Sequence, residues 1–195
     1  VMITPIASSP ILTSDLEGTP GIHYYPGYYR TSHNDLYQGI AMAKFVYEEL
    51  NITKAAAIHY MDDPYTEGIA TAFANMFKNL GGTITDVLAI NNEDTDMILV
   101  LTDISSSSPD ALYFPIFQPE GEYIAAQVST VPGLEDIVLL ASNGLQNEDF
   151  MSLPESDGMY ISGYDFRYGN NTNQSTGVDA ETFLSKYKET YGGVP

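Results

Sequence analysis

Five short apolar runs, interleaved with stretches whose apolar residues recur every three or four positions, constrain this chain more than any other feature. The runs cover residues 55–60, 83–89, 111–116, 137–140 and 159–162. The run at 55–60 is nearly continuous, which suits a strand buried on both faces. Strands alternating with helical stripes make parallel βαβ units. The pattern therefore predicts an α/β fold, a doubly wound and mostly parallel sheet with helices on both faces.

The stripes can be read residue by residue. Leu36, Ile40, Ala43, Tyr47 and Leu50 lie on one helical face, with Ser32 and Asn34 as candidate caps. Asp63-Pro64 reads as an N-cap and a first helical residue. Ile69, Ala72, Phe73, Met76, Phe77 and Leu80 continue that helix, and Gly81-Gly82 ends it. Residues 91–96 form a turn whose acids favour a helix start, and Met97, Val100, Leu101 and Ile104 make the face of that helix. Residues 105–109 break it. Ile124, Val128 and Val131 mark another helix, ended by Pro132-Gly133. Ala180, Phe183, Leu184, Tyr187 and Tyr191 mark the last, after a polar, Asn-rich loop at 168–177. Residues 1–20 read as one short strand and a connector rich in Ser, Thr and Pro.

Composition removes several classes of function. With 26 Asp plus Glu against 7 Lys plus Arg, the net charge is −19. Nucleic acid is excluded as a partner, because its phosphates need a basic face, and an anionic membrane surface is excluded for the same reason. No cysteine is present, which excludes disulfides, thiolate metal sites and cysteine nucleophiles. No stretch reaches the ~18 apolar residues of a membrane span. The opening Val1-Met2-Ile3-Thr4-Pro5-Ile6 carries no signal-like pattern and looks like the inside of a domain, so the expectation is an excised piece of a longer protein.

Catalytic motifs are missing too. The sequence has no Gly-x-Ser-x-Gly elbow, no phosphate-cradling glycine loop and no His-Glu-x-x-His. No enzyme, cofactor or metal is expected. His23, His33 and His59 fall in different elements, and His59 reads as a satisfied histidine at a strand end. Residues 91–96 offer oxygen ligands without the spacing or glycine of a calcium loop. Asn51-Ile52-Thr53, Asn170-Asn171-Thr172 and Asn173-Gln174-Ser175 match the short glycosylation pattern, weak support for export.

The candidate site lies past the strand ends. Tyr65 follows the run at 55–60, and Phe117 follows the run at 111–116. Asn143 follows the run at 137–140, within Ala141-Ser142-Asn143-Gly144. In open α/β sheets, ligands bind outside the carboxyl ends of the strands. Two rings and an amide there make a small-molecule wall. The alternative is local packing of the rings against neighbouring loops, with Asn-Gly as ordinary turn chemistry.

Four segments carry a family resemblance. They are Met2-Ile3-Thr4-Pro5-Ile6-Ala7-Ser8-Ser9-Pro10, Arg30-Thr31 with Gln38-Gly39, Asp62-Asp63-Pro64-Tyr65-Thr66-Glu67-Gly68, and Asp110-Ala111-Leu112-Tyr113-Phe114 through Pro119-Glu120. In order and spacing they resemble the extracellular substrate-binding proteins of branched-chain amino-acid ABC transporters. That resemblance implies a type I periplasmic-binding fold, in which two α/β lobes close on a ligand. Residues 1–20 are then the end of the first lobe and the crossing between lobes, and residues 21–195 are the second lobe. The implied partners are a small ligand (an amino acid or small carboxylate), a membrane ABC permease and the missing first lobe of the same receptor. The implied location is extracellular or periplasmic, with the full-length protein anchored at the cell surface. A ligand-sensing domain of a signalling receptor or regulator with the same fold is the alternative.

The resemblance also implies roles by position. Ser8 corresponds to a first-lobe threonine that holds the carboxylate and ammonium of an amino acid. Ile6 corresponds to a position that contacts ligand through its backbone. Tyr65 corresponds to a tyrosine that covers the ligand. Phe117 stands where the family has a second tyrosine, so that hydroxyl is missing. Asn143 stands where the family has the acid that pairs with the ammonium. An ion pair is roughly twice as strong as a neutral hydrogen bond, so this departure bears on the ligand. Either Asp62 or Asp63 folds inward to replace the acid, or the ligand lacks an ammonium and is an aromatic or aliphatic carboxylate or an amide.

Overall fold

Lys54–Tyr60 (β3) is an interior strand of the main sheet, and its residues from Ala55 to Ile58 are buried on both faces. Ala55 and Ala57 join one core cluster with Met42, Ala43, Val46, Ile69, Phe73 and Phe77. Ala56, Ile58 and Tyr60 join a second cluster with Leu101, Ile104, Ile124 and Val128. Alternating side chains thus feed two cores on opposite faces of one sheet. The computed structural model describes residues 1–5, 7–13, 25–32, 34–163, 172–173 and 175–193.

The chain divides into two compact units, Val1–Ser162 and Gly163–Pro195. In the first, Thr83–Ile90 (β4), Ala111–Phe114 (β5), Val138–Ala141 (β6) and Tyr160–Ile161 (β7) join β3 in the order β4-β3-β5-β6-β7. Every pairing is parallel. All five runs read as strands are strands. A separate pair, Met2–Thr4 (β1) and Tyr28–Arg30 (β2), is also parallel, with Met2 opposite Tyr28.

One core face carries Leu36–Lys44 (α1) and Pro64–Asn79 (α2), and the other carries Ile98–Ser106 (α3) and Glu120–Val128 (α4). A short helix, Glu148–Met151 (α5), follows β6. The predicted Asp63-Pro64 start of α2 is present, since the Asp63 carboxylate accepts from the N–H groups of Tyr65 and Thr66. Gly81, at φ +101°, takes the left-handed position just past the helix end.

α1 departs from the simple stripe. Its fully buried residues are Leu36, Gln38, Gly39, Met42 and Ala43, and residues 45–49 continue as a π-helical turn. Tyr47 and Leu50 are consequently only half-buried. The cause is visible at Gly39. A Cβ there would lie 2.4 Å from the Ile69 carbonyl oxygen and 2.8 Å from the Phe73 nitrogen. Bare backbone lets α1 lie directly on α2. The N-cap is Asp35 rather than Ser32 or Asn34, and Asn34, one residue earlier, has its Oδ1 accepting from the Leu36 N–H at 3.2 Å.

The second unit is built on Ala180–Tyr191 (α6), capped by the Asp179 side chain on the Thr182 N–H at 2.7 Å. That bond holds the Asp179 carboxyl below its ordinary value. Phe183, Tyr187 and Tyr191 run along α6 in successive ring contacts at 6.1 and 4.6 Å. No residue of α6 is buried.

Candidate functional site

The strand order places a topological switch beside β3. From β3 the chain winds outward to β4, then returns to β5 on the other side of β3. Loops after β3 and β5 therefore leave the sheet toward opposite faces, and in open α/β sheets ligands bind at such a point. Tyr65 and Phe117 stand on those two loops.

At the β3 corner, Asp62 turns the chain at φ +58° and is exposed. Asp63 bonds the Tyr65 and Thr66 N–H groups at 3.2 Å each, so it serves as the cap of α2. Thr66 Oγ1 accepts from the Tyr60 N–H at 3.0 Å, which ties the helix start to the strand end.

At the β5 corner the fastening comes from Tyr60. Its hydroxyl donates to Glu120 Oε2 at 2.7 Å and accepts from the Phe117 N–H at 3.3 Å. Glu120 is 3% exposed, and its Oε1 accepts from the Glu93 N–H at 2.6 Å. Burial, with the Glu120 hydrogen bond adding to it, pushes the Tyr60 hydroxyl well above the usual tyrosine range. This polar tie fixes the Phe117 backbone and leaves its ring 42% exposed.

At the β6 corner, Asn143 begins a short 3-10 turn, Asn143–Leu145. A Cβ on Gly144 would meet the Ile116 carbonyl oxygen at 2.6 Å and Phe117 Cδ1 at 2.9 Å. The β6 loop thus lies against the β5 loop because this residue has no side chain.

These corners converge. The Tyr65 and Phe117 rings lie 5.5 Å apart at 17°, and the Tyr60 and Phe117 rings 6.4 Å apart at 16°. The Tyr65 hydroxyl donates to Asn143 Oδ1 at 2.9 Å. Three of the five residues expected at the site, Tyr65, Phe117 and Asn143, therefore form one continuous surface. Stacked aromatic pairs of this kind are worth about 0.5–1.5 kcal/mol beyond their buried area.

Ser8 lies on an anchored segment. It is 6% exposed, and its carbonyl accepts from the Asp35 N–H at 3.1 Å. The Tyr28 hydroxyl donates to the Ala7 carbonyl at 3.0 Å, and Arg30 Nη1 donates to the Ser9 carbonyl at 3.0 Å. Arg30 Nη2 also bonds Thr13 Oγ1. Ile6 lies outside the described residues, as do His23 and His33. His59 is half-buried, with Nδ1 placed 2.8 Å from the Tyr60 carbonyl oxygen.

Sequence reasoning missed four of the residues that organise this wall. Tyr60 and Gly144 looked like an ordinary strand end and an ordinary turn glycine. Glu120 appeared only at the end of one resemblance segment. Gln38 appeared only within a resemblance, yet it is 4% exposed, and its Oε1 accepts from the Asn143 N–H at 3.3 Å. Its polarity in the middle of an otherwise apolar buried face was the available signal.

A parallel sheet with rings and an amide gathered at its switch point is an α/β domain with a candidate ligand-binding surface. The chain belongs to the periplasmic binding protein family, whose model matches residues 4–195. It is 31% identical to the Leu/Ile/Val-binding protein BraC3 of Rhizobium johnstonii over 155 residues, which cover 78% of this chain and 39% of that protein. Its fold is similar to the leucine-binding protein LivK of Thermotoga maritima, with a TM-score of 0.77, 25% identity, and coverage of 100% of this chain and 51% of that one. It is also similar to an ABC-transporter solute-binding protein of R. palustris in complex with benzoate, with a TM-score of 0.71, 18% identity, and coverage of 99% and 49%. The chain therefore spans about half the length of the relatives it matches, or less.

Proposed function

We propose that this chain supplies one ligand-binding lobe of an extracellular or periplasmic receptor that captures a small organic solute for uptake through a membrane ABC permease. Residues 21–195 would form the second lobe, and residues 1–20 the end of the first lobe and the crossing. Capture is non-covalent. Closure of the two lobes about their hinge buries the ligand and shields its polar contacts from water. The observation that carries this reading is the Tyr65–Phe117–Asn143 surface at the switch point. Family membership supports it.

The chemistry of that surface favours one ligand class. Asn143 Oδ1 already accepts the Tyr65 hydroxyl on one of its two lone pairs, so its two amide N–H groups offer the larger remaining capacity toward a ligand. Those are donors. They match a carboxylate or carbonyl oxygen and oppose an ammonium, which also only donates. Asp63 serves as a cap and Glu120 is buried on other partners, which leaves the exposed Asp62 as the one remaining stand-in for a missing acid. The exposed Phe117 ring suits an apolar or aromatic body. The proposed ligand is an aromatic or aliphatic carboxylate or amide, in preference to a free α-amino acid. The benzoate held by one structural relative accords with that class, and the leucine of the other relative's name is the contrasting case.

Matched ligand pairs test the proposal. Leucine is compared with 4-methylpentanoate, and phenylalanine with 3-phenylpropanoate, by chemical-shift titration of the isotope-labelled chain. Each deaminated acid is expected to bind at least as tightly as its amino acid. Affinity for this chain alone should be in the millimolar range, about −4 kcal/mol, since one lobe supplies only part of the contacts. A tenfold preference for either amino acid would overturn the ligand class. Micromolar binding by the single chain would overturn the one-lobe reading.

A further inference from the structure

We infer that Gln38 and Asp35 are positioning residues: a buried relay that fastens the ligand-wall loop at Asn143 to the segment at Ser8. Four hydrogen bonds in sequence carry the inference. The Ser8 carbonyl accepts from the Asp35 N–H at 3.1 Å. Asp35 Oδ1 accepts from Gln38 Nε2 at 2.7 Å. Gln38 Oε1 accepts from the Asn143 N–H at 3.3 Å, bridging 105 positions of sequence. Asn143 Oδ1 then accepts from Tyr65.

Burial makes this a specific device. Asp35 is 0% exposed and Gln38 4%. Buried polar side chains are retained only where their bonds are made, because an unpaired one costs far more than a made bond contributes. A glutamine suits the middle of the relay because its amide donates from one end and accepts at the other. The neighbouring Gly39 sets the height of the relay. Its missing Cβ brings α1 onto α2, which lays Gln38 over the β6 corner. Ser8 itself is held from the other side by Tyr28 and Arg30 through the backbone of its neighbours, Ala7 and Ser9.

The functional consequence rests on the ligand-wall reading above. Ser8 and Asn143 were expected to contact a ligand from two different lobes. The relay ties the Ser8 segment, at the crossing between lobes, to the loop that carries Asn143, so a change at one end of the relay is felt at the other while the rest of the first lobe stays free to close. The relay itself can be tested without any ligand, and its failure is distinguishable from failure of the wall.

The experiment is amide hydrogen exchange on the whole chain, comparing Asn143 with the amides of β3. In Gln38→Met, exchange at Asn143 should rise about tenfold while β3 is unchanged. In Gln38→Glu, two buried carboxylates face each other and Asn143 protection should fall similarly. In the double variant Asp35→Asn with Gln38→Glu, an amide donor meets a carboxylate acceptor with the bond polarity reversed. Protection of Asn143 should return to within about twofold of the parent. Unchanged protection at Asn143 in Gln38→Met would overturn the relay. So would equal loss at Asn143 and throughout β3, which would make Gln38 a general core residue, or failure of the double variant to recover beyond Gln38→Glu. The titration of the parent chain with 4-methylpentanoate and 3-phenylpropanoate reports on the wall independently. Absence of shifts there with the exchange pattern intact would leave the relay standing and the wall reading fallen.

Discussion

The loops after β3 and β5 each hold up one aromatic ring, and they do so by opposite means. Tyr65 is fixed through its own side chain, with a hydroxyl on Asn143 and a backbone capped by Asp63. Phe117 has no polar atom in its side chain. Its backbone is held by the Tyr60 hydroxyl, and its ring rests between Tyr60 and Tyr65. Tyr65 is half-buried, whereas Phe117 keeps 42% of its surface open. The difference shows how one site can be rigid and still offer apolar surface. The polar restraint sits underneath, in the Tyr60–Glu120–Glu93 tie, and the contact surface is left free of it.

That contrast can be broken at several points. Tyr60→Phe should have the largest effect, because it removes the donor from the buried Glu120 carboxylate and the acceptor from the Phe117 N–H. The loss of a bond to a charged group should cost about 1.5–3 kcal/mol in urea unfolding, and the Phe117 ring signals should broaden. pH sharpens the same point. The Tyr60 hydroxyl titrates above the ordinary tyrosine value of 10.0 in the folded chain, so its contribution is intact below that value. It is lost as pH rises through the folded value, since the unfolded chain then releases its proton more readily. Tyr113, fully buried, behaves in the same direction. The alkaline loss of stability should be shallower in Tyr60→Phe than in the parent, and equal slopes would contradict the assigned burial of Tyr60.

Gly144→Ala attacks the contact between the β5 and β6 loops. Its new methyl would press on the Ile116 carbonyl, a backbone atom that cannot rotate away. Destabilisation of about 1–3 kcal/mol is expected, with shifts concentrated at Phe117. Asp63→Ala removes the cap of α2 and should cost about 1 kcal/mol by thermal or urea unfolding, moving Tyr65 more than Phe117. Tyr65→Phe is the mildest. It removes one half-buried hydrogen bond, at about 0.5–1 kcal/mol, and should leave the ring stack in place while freeing the Asn143 oxygen. If the deaminated-acid preference depends on that occupied oxygen, it should narrow in Tyr65→Phe.

Much of the frame was legible because local rules decide it. The alanines and Ile58 of β3, the Asp63-Pro64 start and the 69–80 stripe of α2 follow from period and capping alone. Tyr65, Phe117 and Asn143 were legible because position past a strand end is a sequence property. Gln38 with Asn143 and Tyr60 with Glu120 were not, since each pairing spans 60 or more positions and is set by the tertiary fold. The π-helical turn at 45–49 was likewise hidden, as was the β2 strand, whose partner among the described residues is β1. The stripe of α6 marked a helix correctly and said nothing about burial, because a stripe reports what a helix offers and not what covers it.

The most direct test of the central claim is a titration of the labelled chain with benzoate, 4-methylpentanoate and leucine, followed at the Tyr65 and Phe117 rings and the Asn143 side-chain amide. The account predicts saturable shifts at all three groups with the carboxylates, and weaker shifts with leucine. A ligand that binds saturably and leaves those three groups unmoved would contradict it.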